Sequence, residues 1–270
     1  MKSRPVITLL TDFGHEGGFA AALKGVILSI NPDVQCVDIT HQIGPQNVFE
    51  GAFTLFVNYR FFPKGTIHVA VVDPGVGSHR KILCVRTPSG IFIGPDNGIF
   101  TPILDREKKA EVYEMINPRL FLPVISNTFH GRDKMAPAAA HLSKKFPIKK
   151  VGPRLKNWKK INFDRPRIQK NGIQGRVISI DRFGNLITNI TGHDLDCLGA
   201  QKNLSVCIKD RSISKIARFF SEVPKGHLLA IVGSSNFVEI ARNLGSAAEM
   251  LGAKMNDSVE IQKKGDRSHG

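Results

Sequence analysis

In the first half of the chain, short solid apolar runs alternate with stretches of helical spacing. Residues 6–10 form one such run and predict a buried strand that ends at Thr11-Asp12-Phe13-Gly14. Residues 17–30 then place apolar side chains at helical intervals. Asn31-Pro32-Asp33 ends that helix, because proline has no amide hydrogen to continue the ladder. A second strand follows at 34–39, a second amphipathic helix at 47–62 closed by Pro63-Lys64-Gly65, and a third strand at 66–72 that runs into Asp73-Pro74-Gly75. This order predicts a mostly parallel sheet with flanking helices and right-handed crossovers. Ile82 to Val85 and Ile91 to Ile93 read as a strand pair around Pro88-Ser89-Gly90, and residues 132–145 as a further helix.

Past residue 170 the pattern changes to short β-rich runs separated by turns: 172–180, 185–190, 204–208, 227–233 and 258–262. Helical character persists near 214–221 and 245–251. The expected fold class is therefore α/β, with an N-terminal mostly parallel sheet plus a smaller C-terminal β-barrel-like domain. The expected boundaries are an α/β domain over 1–150, a basic linker over 151–169 and a β-rich domain over 170–270.

Charge sharpens one part of this picture. The net charge is +15, and residues 144–170 alone carry eleven Lys and Arg against one acid, Asp164. Two readings apply: a solvated linker, or a strip that contacts nucleic-acid phosphates. The absence of any nucleic-acid module favours the first, so no nucleic-acid partner is expected. No run approaches the roughly 18 apolar residues of a membrane span, and the N-terminus lacks a signal-peptide pattern. The cysteines, Cys36, Cys84, Cys197 and Cys207, form no Cys-x-x-Cys pair and no zinc-like set. Scattered thiols without a signal peptide point to a reducing, cytoplasmic compartment.

The candidate chemistry sits in four separated segments. Asp12, Asp38 and Asp73 fall at or near predicted strand carboxyl ends, where an open parallel sheet places its ligand crevice. An acid placed as Asp12 is can accept hydrogen bonds from both hydroxyls of a ribose; a turn-capping role is the alternative. In Asp73-Pro74-Gly75-Val76-Gly77-Ser78-His79-Arg80, an acid and an arginine bracket a glycine turn that lacks the ending of a Walker loop. They form either a ligand site or a structural salt bridge. His130, in Asn127-Thr128-Phe129-His130-Gly131, opens a helix. Asp, Arg and His in one crevice would make a site able to orient and deprotonate water. In the second half, Asp181-Arg182-Phe183-Gly184-Asn185 offers an aromatic face beside an amide, suited to a purine, or a plain hairpin turn.

Together these motifs resemble the S-adenosylmethionine hydrolases, or hydroxide adenosyltransferases, relatives of the fluorinases and chlorinases. The resemblance runs from Leu10-Thr11-Asp12-Phe13-Gly14 to Ile240-Ala241-Arg242-Asn243. It implies hydrolysis of S-adenosylmethionine to adenosine and methionine without metal or other cofactor. It also implies a homotrimer with active sites at subunit interfaces. Carried over, Asp73, Arg80 and His130 form the water-activating triad and Asp12 holds the ribose. Phe183 and Asn185 meet the adenine and Asp181 the methionine amino group, and Ser234, Arg242 and Asn243 match further ligand positions. Ser235 stands where the fluorinase has an arginine near the methionine carboxylate. Halogenases carry Tyr-Ser at the position of His130-Gly131 and tyrosine at Asp73, and fluorinases insert a loop after Arg80. Here Lys81 to Asn97 holds only a short turn, so the pattern favours water over halide. The competing readings are a halide-dependent adenosyltransferase, a metal-dependent nucleotide phosphatase and a non-enzymatic nucleic-acid binder.

Overall fold

The computed structural model describes residues 4–198 and 204–263. The chain divides into two compact units, Met1–Phe163 and Asp164–Gly270.

The first unit is built on six strands: β1 (Val6–Thr11), β2 (Gln35–Thr40), β3 (Thr66–Val71), β4 (Ile82–Arg86), β5 (Gly90–Pro95) and β6 (Glu111–Glu114). Their order across the sheet is β2-β1-β3-β5-β4-β6. The β2, β1, β3 and β5 neighbours are parallel, and β4 runs antiparallel to β5 and β6. Both faces are covered, which is why the strands read as solid apolar runs. Ile7 and Leu9 of β1, with Val69 and Val71 of β3, pack toward helices α1 (Phe19–Ile30) and, later in the chain, residues 136–143. Leu10 and Ala70, one residue out of step, face α2 (Val48–Asn58) and α3 (Thr101–Arg106). The period-two alternation thus feeds two helix layers from one sheet.

Helix α1 leads from β1 outward to β2, and α2 leads back across to β3 on the far side of β1. The strand order therefore reverses between β1 and β3, the position at which an open α/β sheet offers a crevice. The helix expected over 132–145 is instead a π-helical turn, Gly131–Met135, continued by α4 (Ala136–Ser143). The one expected over 47–62 stops at Asn58 and tightens to a 3-10 turn, Tyr59–Phe61.

Residues 151–163, the first part of the expected linker, belong to the first unit. The Leu155 amide donates to Val112 O (2.8 Å), the Lys159 amide to Asp96 Oδ1 (2.8 Å), and Phe163 stacks on Phe49 with ring centroids 4.9 Å apart. All eleven Lys and Arg of 144–170 are exposed, while Val151, Leu155, Trp158 and Ile161 pack inward. The segment is held by its apolar side chains and keeps its charges in water.

The second unit contains β7 (Arg167–Gln169), β8 (Gly172–Ile180), β9 (Leu186–Thr191), β10 (Leu204–Ile208), β11 (Arg211–Ile213), β12 (Ile216–Ala217), β13 (Leu228–Val232), β14 (Phe237–Arg242) and β15 (Ser258–Lys263). The path β11-β10-β15-β8-β9-β14-β13-β12 curls until its two ends approach, giving a nearly closed barrel around Val177, Leu186, Val206, Val238 and Ile261. Short helices α5 (Gly192–Asp196) and α6 (Ala247–Leu251) accompany it. The helix expected over 214–221 does not form. Ile216 and Ala217 pair with Ala230 and Ile231, and only Phe220–Glu222 makes a 3-10 turn. Pairing with a ready sheet edge outweighs weak local helical spacing. Among the described residues, no helix is long and apolar enough to cross a membrane.

Candidate active site

The site is assembled at the carboxyl ends of β1 and β3. β1 delivers Asp12, and β3 delivers Asp73 two residues beyond Val71. Asp38, also considered at the sequence level, lies inside β2 and is engaged elsewhere, with Lys24 Nζ at 2.5 Å from Oδ2 and His41 Nε2 at 3.1 Å from Oδ1. Burial raises its pKa, but hydrogen bonds from Lys24 and His41 outweigh this and hold the carboxyl below its ordinary value.

Beyond Asp73 the chain makes two successive turns, closed by Val76 N to Asp73 O (3.2 Å) and Ser78 N to Gly75 O (3.1 Å). They bring Arg80 back beside its starting acid. Arg80 Nε donates to Asp73 Oδ1 at 2.8 Å and Nη2 to Oδ2, a bidentate pair whose side chains are only 6% and 5% exposed. Gly77 makes this path possible. Its φ is +80°, and a Cβ there would stand 2.4 Å from the carbonyl oxygen of Asn127. The 73–80 loop therefore lies directly against the loop that leads to His130.

His130 caps the π-helical turn and is buried. Arg80 Nη2 lies 3.1 Å from His130 Nδ1. A guanidinium has no lone pair, so Nδ1 is the acceptor and the imidazole proton resides on Nε2. The pKa of His130 is lowered, first by burial and then by the nearby Lys134 and Arg80 cations, against the opposing pull of Asp73 and Asp133. The ring is accordingly neutral at physiological pH. One arginine thus links a carboxylate and a neutral imidazole and fixes both orientations.

Asp12, Asp73, His130, Gln46, Phe13, Thr128, Phe129 and Val76 line a common cavity of about 220 Å³. Phe129 meets Phe13 edge-on at 5.7 Å and Phe19 at 5.4 Å, giving this end of the cavity an aromatic wall. Asp12, Asp73 and His130 are therefore brought together in one crevice, and Arg80 joins them through its bonds to Asp73 and His130. Gln46, Phe13 and Phe129 were not singled out from the sequence. Phe13 and Phe129 stand beside flagged residues, whereas only folding brings Gln46, 34 positions away, against Asp12.

The remaining candidates lie in the second unit. Asp181 Oδ1 accepts from the Phe183 and Asn185 amides (both 2.9 Å), and Oδ2 accepts from Asn185 Nδ2 (2.9 Å). This ties the turn that holds Phe183 out at 76% exposure. An aromatic face so displayed, beside a buried Asn185, is available to a flat ring. Ser234 is exposed in the turn between β13 and β14. Arg242 Nε donates to Gly226 O (2.9 Å) and Asn243 Nδ2 to Val223 O (2.7 Å), so these two side chains brace the neighbouring loop. Glu239, on β14, is held above its ordinary pKa by burial and then by the charge of Asp181. Among the described residues, no group of three His, Cys, Asp or Glu side chains is arranged to hold a metal ion.

Comparison with known proteins covers nearly the whole chain. Residues 7–152 match the family model for the SAM hydroxide adenosyltransferase N-terminal domain, and residues 175–260 match that for the C-terminal domain. A curated (R)-S-adenosyl-L-methionine hydrolase of Thermus thermophilus is 37% identical over 265 residues, covering 96% of this chain and 99% of the relative. One of Salinispora arenicola is 34% identical over 264 residues, covering 97% and 99%. A fluorinase of Nocardia brasiliensis is 29% identical over 291 residues, covering 96% and 97%. The crystal structure of an uncharacterized conserved protein from Thermotoga maritima superimposes with a TM-score of 0.90 at 35% identity, covering 95% of this chain and all of that one.

Proposed function

We propose a mechanism from one premise: the chain belongs to the SAM hydroxide adenosyltransferase family. It is an enzyme that hydrolyses S-adenosylmethionine. The reading of its chemistry rests on one observation, the buried Asp73–Arg80–His130 unit sharing a cavity with Asp12.

The substrate carries its own activation. Its sulfonium makes methionine a leaving group that needs no acid and no Lewis acid, so the reaction requires no metal. Water attacks the ribose 5′ carbon in line with the sulfur. The O–C bond forms, the C–S bond breaks, its electron pair stays on sulfur as methionine, and adenosine is the other product. Holding water and carbon in attack geometry is worth about 7–11 kcal/mol. Neutral water is far too weak an acid to give its proton to a carboxylate beforehand. As the O–C bond forms the oxygen becomes strongly acidic, and the proton passes late to Asp73. His130 cannot be that base, because its Nδ1 lone pair is taken by Arg80. Its Nε2 hydrogen instead orients the water through one lone pair, leaving the other for attack. Such base assistance contributes about 10²–10⁴-fold.

Asp12 binds the ribose hydroxyls in this scheme. Phe183 and Asn185 serve the adenine, Asp181 the methionine amino group, and Ser234, Arg242 and Asn243 the rest of the ligand. The family resemblance supports these roles and a homotrimer with active sites at subunit interfaces, and four free thiols support a reducing, cytoplasmic location. A halide at the nucleophile position would have to lie against the Asp73 carboxylate, which disfavours a halogenase reading. The test is incubation with S-adenosylmethionine, with and without chelator and halide, followed by chromatography. Adenosine and methionine in equal amounts under every condition are expected. Halogenated adenosine or chelator inhibition would contradict the proposal.

A further inference from the structure

Asp12 is held by a device that lies outside the reacting groups. Its Oδ2 accepts a hydrogen bond from the backbone amide of Gln46 at 2.9 Å. Gln46 has φ +62°, a left-handed conformation unusual for a residue with a side chain. The cause is the turn around it. Pro45 fixes a negative φ ahead of Gln46, and Asn47 N closes on Gly44 O at 2.9 Å, which is the geometry of a type II turn. Such a turn ordinarily takes glycine at the position of Gln46, so something must hold it.

Glu50, in the first turn of α2, does this. Its Oε2 accepts from the Gly44 amide (3.0 Å) and from Asn47 Nδ2 (3.0 Å), at both ends of the turn. The Glu50 amide in turn donates to Asn47 Oδ1 at 3.1 Å, so helix and turn are locked reciprocally. The stretch that leads into the turn is tied to the end of β1 as well: Ile43 N donates to Thr11 O at 3.4 Å, and Thr11 Oγ1 meets His41 Nδ1 at 2.8 Å.

We propose that Glu50 is a positioning residue for Asp12. It sets the Gly44–Asn47 turn so that the Gln46 amide occupies Oδ2 and fixes the carboxylate plane, leaving Oδ1 presented to the ribose diol. The inference rests on the reading that Asp12 binds ribose, and the experiment separates the two. Adenosine and 2′,3′-dideoxyadenosine are titrated calorimetrically into the wild-type protein and into Glu50→Ala, Glu50→Gln, Asp12→Ala and the Glu50→Ala/Asp12→Ala double variant. Glu50→Ala is expected to weaken adenosine about 3- to 10-fold, the scale of one net hydrogen bond, and to leave the dideoxy compound unchanged. Glu50→Gln, which keeps an amide oxygen for Gly44 N, is expected to restore binding to within about two-fold. In the Asp12→Ala background the Glu50 substitution is expected to have no further effect, as required of groups acting through one another. Equal losses for both ligands, or additive losses in the double variant, would overturn the positioning role while leaving Asp12 in the site. Wild-type protein that binds both ligands equally would instead remove Asp12 from ribose recognition, and the proposal with it.

Discussion

At the residue scale, neighbouring polar groups of the site carry different duties, and these duties can be separated. Asp73→Asn keeps an oxygen for Arg80 but removes the proton acceptor. It is expected to lower kcat by about 10²–10⁴-fold with adenosine affinity retained, measured by steady-state kinetics and calorimetry. Asp73→Ala is a poorer probe, because it strands a buried guanidinium. A second prediction concerns His68, which the reaction does not use. Its Nδ1 lies 2.8 Å from Thr8 Oγ1 and its ring stacks on Phe92 at 4.9 Å; burial pulls its pKa from 6.5 to about 4. The folded state therefore binds this proton less readily than the unfolded state, and stability rises with pH across that window. The contribution is complete above pH 6.5 and is lost as pH falls, reaching about 3 kcal/mol by pH 4. Chemical denaturation at pH 7.5 and at pH 4 is expected to show a smaller difference for His68→Gln than for wild type, and an equal difference would contradict it. Asp12, Asp73, Arg80 and His130 were legible in the sequence because each sits in a turn after a predicted strand or before a predicted helix. Gln46 and Glu50 were not. Their relation to Asp12 depends on how one turn docks on a strand 34 residues away, and no local pattern encodes that.

At the element scale, two loops carry the geometry. Gly77 allows the 73–80 loop to touch the Asn127 carbonyl. Gly77→Ala is expected to cost about 1–3 kcal/mol from the left-handed backbone, and more from the clash, with activity falling as Arg80 and His130 separate. Thermal denaturation alongside turnover checks this, and unchanged values for both would contradict the close approach. The solid apolar runs of β1 and β3 were readable and implied buried strands of a parallel sheet with flanking helices. The interruption at Gly131–Met135 was not readable, because a π-turn differs from a helix by one residue of register that apolar spacing does not record. The segment 214–221 misled for the opposite reason. Its helical spacing is real, but β13 offers Ile216 and Ala217 unpaired backbone partners.

At the scale of the whole molecule, the parallel sheet supplies a switch-point crevice and the barrel supplies an exposed aromatic and a capped turn. The shift from helical to β-rich patterning near residue 170 made two units legible. The basic run concealed the boundary, because its charge suggested a free linker while Val151, Leu155, Trp158 and Ile161 bind it to the first unit. If active sites form between subunits, the protein is expected to sediment as a trimer. Phe183→Ala is then expected to weaken adenosine by about 1–3 kcal/mol, the worth of an aromatic stacking contact on a base, without changing the assembly. A monomer with full activity would contradict the shared site.

The central claim is that water attacks the ribose 5′ carbon of S-adenosylmethionine. Turnover in oxygen-18 water with excess chloride, followed by mass spectrometry of the nucleoside, tests it most directly. Adenosine carrying one oxygen-18 in its 5′ hydroxyl, at the enrichment of the solvent, is the expected product. Unlabelled adenosine, chlorinated adenosine or free adenine would contradict it.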